Sequence, residues 1–90
     1  MEILKIGADW CSSCLVMRPR FQEIEQQYSW LNTKYYDFDE DKKVMEKYDI
    51  KDTRLPVFIF LNKKGEEFLR LNGEVPKDKL IKLIKEHKDK

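Results

Sequence analysis

Ile3, Leu4 and Ile6 form a short apolar run broken only by Lys5, and beyond it Met17, Phe21, Ile24 and Tyr28 recur at intervals of three and four. The first pattern predicts a strand over residues 2–7, the second one face of a helix from about Cys11 to Ser29. Pro19 falls inside that helix, where it removes an amide donor and favours a bend. Aromatic-rich Thr33 to Phe38 reads as a second strand. Val44, Met45 and Tyr48 mark the inner side of a short helix from about Asp41 to Tyr48. Pro56 to Leu61 is apolar throughout, as in a strand buried on both faces. Asn62-Lys63-Lys64-Gly65 supplies a hairpin loop with a glycine available for positive φ, and Glu66 to Asn72 returns as a fourth strand. Pro76 suits the first position of a last helix whose Leu80, Ile81 and Ile84 dock on the sheet. His87 to Lys90 is expected to fray.

The order β-α-β-α-β-β-α predicts an α/β fold, and 90 residues allow one domain, residues 1–90, with a modest core. An apolar fraction of 41% supports that core, while 39% charged residues predict a heavily solvated surface. The net charge is only +1, and the runs Asp39–Lys43 and Lys85–Lys88 mix signs. That balance gives no electrostatic reason for a nucleic-acid or anionic-membrane partner. Leu55 to Leu61 is too short to span a bilayer, and residues 1–8 lack the basic start and long apolar stretch of a secretory signal. Together these features predict a cytoplasmic location.

The chemistry concentrates in Trp10-Cys11-Ser12-Ser13-Cys14, which holds both cysteines of the chain. Two thiols one helical turn apart, where a strand gives way to a helix, form one local reversible bridge and cannot form a disulfide scaffold. Cys11, at the first exposed turn, faces unpaired amides and the positive end of the helix dipole, which favour a thiolate and make it the candidate nucleophile. Cys14, one turn further, is placed to close the disulfide as the resolving thiol. The Ser12 and Ser13 hydroxyls either tune the pair by donating to the Cys11 sulfur or act as ordinary helix caps. A zinc site needs four ligands, and the one histidine, His87, is distant in sequence, so no metal is expected. Trp30 and Met17 read as packing residues.

These residues resemble the thioredoxin superfamily over nearly the whole chain. Gly7 to Cys14 is similar to the family's active-site run, and Pro19 falls where many thioredoxins kink the following helix. Phe38-Asp39 resembles the end of the next strand, Tyr48-Asp49-Ile50 with Leu55-Pro56 the approach to a cis-proline, and Gly73 the glycine that completes the substrate groove. The resemblance implies a minimal thioredoxin fold: a four-stranded mixed sheet ordered second, first, third, fourth strand, the fourth antiparallel to its neighbour. The first and last helices would cover one face and the middle helix the other, the latter thinly around Tyr35 and Phe58. Relative to a full-length thioredoxin the opening strand and helix are missing, which makes the chain glutaredoxin-sized.

By the same resemblance, Trp10, Leu55, Pro56 and Gly73 would bind substrate, with Pro56 cis and the Leu55 backbone pairing with it. The segment Lys51 to Arg54 makes the approach to Pro56 about two residues longer than usual. Ser12-Ser13 matches neither the Gly-Pro of thioredoxins nor the Pro-Tyr of common glutaredoxins. Lys5 stands where thioredoxins carry a buried aspartate that assists proton transfer at the second thiol, and Tyr35 where they often place a partner lysine. Lys5 could tune the site by stabilising thiolates, could accept a proton if neutral, or could simply snorkel to the sheet edge.

The implied activity is thiol–disulfide exchange that reduces protein disulfides, by a monomer without cofactor. Electrons would come from a thioredoxin-reductase-like or glutathione-based donor. Two alternatives stand beside it. One is a glutathione-dependent, glutaredoxin-like enzyme, although the threonine-valine-proline and double-glycine pattern of that family is not evident. The other is a binding or redox-sensing module that uses the groove without turnover.

Overall fold

The structure, a computed structural model, describes residues 1–51 and 54–90. Its elements are β1 (Glu2–Gly7), α1 (Ser12–Gln27), β2 (Asn32–Asp37), α2 (Lys42–Lys47), β3 (Val57–Leu61), β4 (Glu67–Asn72) and α3 (Lys77–Glu86). The strands form one sheet in the order β2-β1-β3-β4. β1 runs parallel to β2 and antiparallel to β3, and β4 is antiparallel to β3 with an irregularity at Phe60/Leu61. This is the thioredoxin fold. Several boundaries differ from expectation by one or two residues, among them both ends of α1 and α2 and the starts of β3 and β4. β2 starts and ends one position early, and Pro76 is the residue before α3, with extended ψ of 146°.

Two apolar layers hold the sheet. On one face Met17, Phe21 and Ile24 of α1 and Leu80 and Ile84 of α3 pack on Ile3, Phe58 and Phe60. On the other, Met45 of α2 and Ile50 pack on Leu4, Ile6, Val57, Ile59 and Leu61. All five residues of β3 are buried, because this strand is covered on both faces and flanked on both edges. Fully burying one such side chain stabilises by about 1.5–3 kcal/mol.

The register corrects the expected location of Tyr35 and Phe58. Lys5 pairs with Tyr35 on one side and Phe58 on the other, and residues directly opposite one another point to the same face. Phe58 therefore lies under α1, where it stacks on Phe21 at 5.1 Å and is fully buried, while Tyr35 at the edge stays 47% exposed. The C-terminal residues are also better anchored than their composition suggests. His87 meets the edge of Phe68 at 5.1 Å, Lys88 lies 4.9 Å from the Trp30 ring centroid, and the Lys63 N–H donates to the Lys90 carbonyl.

Candidate active site at the Cys11–Cys14 turn

β1 ends at Gly7, and a short turn in which the Cys11 N–H donates to the Ala8 carbonyl delivers the chain into α1. Cys11 itself is the N-cap, extended at φ −93° and ψ 113°, and its sulfur accepts the Cys14 N–H at 3.2 Å. A cap oxygen normally fills this role, satisfying an amide that has no partner inside the helix. A sulfur that accepts an amide at the positive end of a helix is placed to carry negative charge. Ser12 and Ser13 are the first two helical residues, so neither is the cap. Among the described residues neither hydroxyl donates to the Cys11 sulfur, and the tuning role expected of them has no contact behind it.

Cys11 and Cys14 are equally recessed, at 7% and 6% exposure. The expectation of an exposed Cys11 in front of a buried Cys14 is corrected by this, since both cysteines belong to one apolar cluster with Ala8 and Leu55. What separates them is hydrogen bonding. The Cys14 thiol is pushed up to about 12, first by burial, then by donating its proton to Cys11 and by the Cys11 charge. The Ala8 backbone N–H and the Arg18 guanidinium act in the opposite sense. In the dithiol state Cys14 thus keeps its proton and directs it at Cys11.

The predicted walls of the groove lie around this pair. The Leu55–Pro56 bond is cis, and the Gly73 N–H donates to the Pro56 carbonyl at 2.8 Å. Gly73 has φ +79°, a backbone conformation that calls for glycine, with the Arg54 guanidinium 3.3 Å from where a Cβ would stand. The Leu55 side chain is buried in the core. Trp10 is 66% exposed, donates through Nε1 to Asp39 at 2.7 Å, and sets its ring edge-on to Phe38. The expected two-residue lengthening between Lys51 and Arg54 turns on Asp52 and Thr53, which lie outside the described residues.

Lys5 turns away from the thiols. Its ammonium lies 2.6 Å from a Glu25 carboxylate oxygen and 5.4 Å from the centroid of Phe21. Glu25 also accepts from the Thr33 hydroxyl at 2.8 Å. The lysine therefore snorkels along an aromatic ring to a partner on α1, and the cation that acts on Cys14 is Arg18. Behind Cys14 a cavity of about 210 Å³ is lined by Lys5, Gly7, Arg18, Glu25, Tyr35 and Pro56, among others. Arg18 and Glu25 escaped the sequence reading. Arg18 lies four residues beyond Cys14, one helical turn, which is the signal that could have found it.

Comparison with known proteins gives the family. The model of the family described as Thioredoxin matches residues 1–87. The thiol:disulfide interchange protein TxlA of Synechococcus elongatus is 34% identical over 79 residues, covering 87% of this chain and 41% of that protein. A thioredoxin of Chlamydia caviae is 31% identical over 87 residues, covering 97% of this chain and 82% of its own length. Among solved structures, thioredoxin-2 of the malaria parasite superposes with a TM-score of 0.85 at 26% identity, over 96% of this chain and 82% of that one. The chain spans about half the length of several curated relatives that it matches. The match along residues 1–87 agrees with the sheet order, the cis-proline and the capping cysteine, and the chain belongs to the thioredoxin family.

Proposed function

We propose that this protein is a thiol–disulfide oxidoreductase that reduces protein disulfides through Cys11 and Cys14. The carrying observation is the asymmetry of the pair: the Cys11 sulfur accepts the Cys14 N–H, while the Cys14 thiol is held protonated. Cys11 as thiolate attacks one sulfur of a substrate disulfide, and the other substrate sulfur leaves with the electron pair and takes up a proton. Cys14 then loses its proton to solvent and attacks Cys11. The Cys11–substrate bond breaks, the second substrate sulfur leaves as a thiolate, and the Cys11–Cys14 disulfide forms. The substrate gains two electrons and the pair loses two, so no bound cofactor takes part.

Attack on Cys11 also changes Cys14. Two of the causes that hold its proton, the hydrogen bond to Cys11 and the Cys11 charge, disappear when Cys11 is bonded to substrate. The resolving thiol is thus eased toward ionisation by the step that creates its target. The Trp10 platform and the backbone at Leu55, Pro56 and Gly73 would hold an extended substrate segment beside the sulfurs. A thioredoxin-reductase-like donor, a monomeric state and a reducing compartment such as the cytoplasm belong to the same reading. The compartment is supported by cysteine usage, since both cysteines lie in this one motif and form no disulfide scaffold.

Relatives that are thioredoxins and a thiol:disulfide interchange protein favour this reading over a glutathione-dependent one. Insulin reduction tests it, with electrons from dithiothreitol, from NADPH and thioredoxin reductase, or from glutathione and glutathione reductase. Turnover with either of the first two sources, lost in Cys11→Ser, is the expected result. Turnover only with glutathione would establish the glutaredoxin-like alternative, and no turnover with any donor would leave a binding or sensing module.

A further inference from the structure

Cys14 must shed its proton before it can resolve a mixed disulfide, and the groups around it decide how readily. Gly7 sits at the centre of this environment. A Cβ built there would lie 3.3 Å from the Cys14 sulfur and also 3.3 Å from the Tyr35 hydroxyl oxygen. The two atoms therefore face one another across a space that the missing side chain leaves open, no more than about 6.6 Å apart as the sum of those distances. Both line the cavity behind the thiols, as does Arg18. The Arg18 guanidinium lies near the Tyr35 hydroxyl, on which it acts by charge and as a donor, favouring the phenolate against burial and Asp37. Guanidinium is a donor only, so it occupies a lone pair of the phenol oxygen and leaves the phenol proton free to point elsewhere.

We propose that Tyr35 donates this proton in a hydrogen bond to the Cys14 sulfur as the thiolate forms, with Arg18 holding the phenol and lending its charge. The proposal rests on Cys14 being the resolving thiol. A desolvated thiolate needs a donor to replace the water it has lost, and Tyr35 supplies one from the opposite wall of the cavity. Burial and the charge of Asp37 push Tyr35 upward, so the phenol stays protonated and acts as a donor, never as a base. The thiol proton leaves to solvent beside Tyr35, which lines the cavity and is itself half exposed.

Apart from the action of Asp37 on the phenol, the remaining charges near the cavity are engaged with other groups. Lys5 of β1 and Glu25 of α1 neutralise one another, and Asp37 at the end of β2 accepts the Asp39 and Glu40 N–H groups. Cys11 contributes through its charge only until it is bonded to substrate. Arg18 is thus a positioning residue, and Tyr35 is the group that meets the reacting sulfur.

The test uses Cys11→Ser protein, in which Cys14 is the only thiol and the Cys11 charge is gone, as it is in the mixed disulfide. Iodoacetamide alkylation of Cys14 is followed against pH with and without Tyr35→Phe, Arg18→Gln, Arg18→Lys and Lys5→Met. Tyr35→Phe should raise the midpoint by about one pH unit, so that alkylation near neutral pH slows about tenfold. Arg18→Gln should move it the same way, Arg18→Lys should recover part of the shift, and Lys5→Met should leave it in place. Superimposable profiles for Tyr35→Phe and its parent would overturn the proposal, including where urea unfolding shows a lower stability, since that outcome assigns Tyr35 to packing alone. Alkylation does not depend on turnover, so insulin reduction by the unmodified protein judges the oxidoreductase reading separately.

Discussion

The Lys5 ammonium lies 2.6 Å from the Glu25 carboxylate, which ties the central strand β1 to the helix that carries the thiols. Both side chains are largely covered, and Glu25 is further held by Thr33. The lysine is therefore part of the attachment of α1 to the sheet.

Lys5→Met should accordingly leave the thiol titrations unchanged and lower stability by about 1 kcal/mol, at the upper end for a partly solvated ion pair. Urea unfolding of Lys5→Met, Glu25→Gln and the double variant gives the coupling between the two. A thiol midpoint that moves with Lys5→Met at constant stability would return the lysine to the active site.

Reduced protein treated briefly with iodoacetamide near neutral pH should be labelled at Cys11 and not at Cys14. Burial and the hydrogen bond to Cys11 disfavour the charged form of Cys14, so its midpoint is raised from the ordinary 9.0 to about 12. Its thiolate appears only as the pH climbs toward that value. Peptide mapping by mass spectrometry at several pH values reads this, and Cys14 labelling should emerge in strong alkali alone. Preferential neutral-pH labelling of Cys14 would exchange the two roles.

Cys14→Ser should accumulate mixed disulfides with its substrates. Serine preserves size but is far too weak an acid to attack the Cys11–substrate bond, so the covalent complex persists. Cys11→Ser should trap little, because burial, the largest of the causes that disfavour the Cys14 thiolate, remains when Cys11 is gone. Non-reducing capture from cells, followed by release with dithiothreitol, distinguishes the variants. Equal trapping by both would contradict the division of labour.

Gly7→Ala probes the space between Cys14 and Tyr35. The new methyl would stand 3.3 Å from the Cys14 sulfur and from two Tyr35 atoms, closer than relaxed packing allows. Tyr35 lies at the sheet edge and can yield, so the protein should fold with a loss of about 1 kcal/mol. The Cys14 midpoint should rise as the phenol is displaced. Unfolding and thiol titration of the same sample measure both effects, and an unchanged midpoint would show that Tyr35 keeps its place.

Periodicity was enough to read the elements, since β3 is apolar at every position and α1 repeats Met17, Phe21 and Ile24. The cis-proline followed from the family resemblance, whereas the cap is the Cys11 sulfur and not the serine hydroxyls for which capping was expected. Sheet register was not legible, and Phe58 and Tyr35 were therefore assigned to the wrong face. Their shared row with Lys5 depends on which residues stand opposite one another across three strands, and no local pattern encodes that. The pairing of Lys5 with Glu25 was hidden for the same reason. The fraying expected of the C-terminus ignored Phe68 and Trp30, which are distant in sequence and receive His87 and Lys88.

Cys11 and Cys14 belong to the same apolar cluster as Ile59, Leu61 and Met45. The bridge thus opens and closes within the interior that keeps the chain folded, and the two oxidation states need not be equally stable. Any difference appears directly in the reduction potential, at about 30 mV for every 1.4 kcal/mol. A methylene removed from Ile59 or Leu61, which need not touch substrate, would retune the electron affinity of the protein whenever the dithiol and disulfide forms feel its loss unequally. The hydrophobic interior is in this sense part of the redox couple, and the potential can drift through substitutions in the core while Cys11 and Cys14 stay in place.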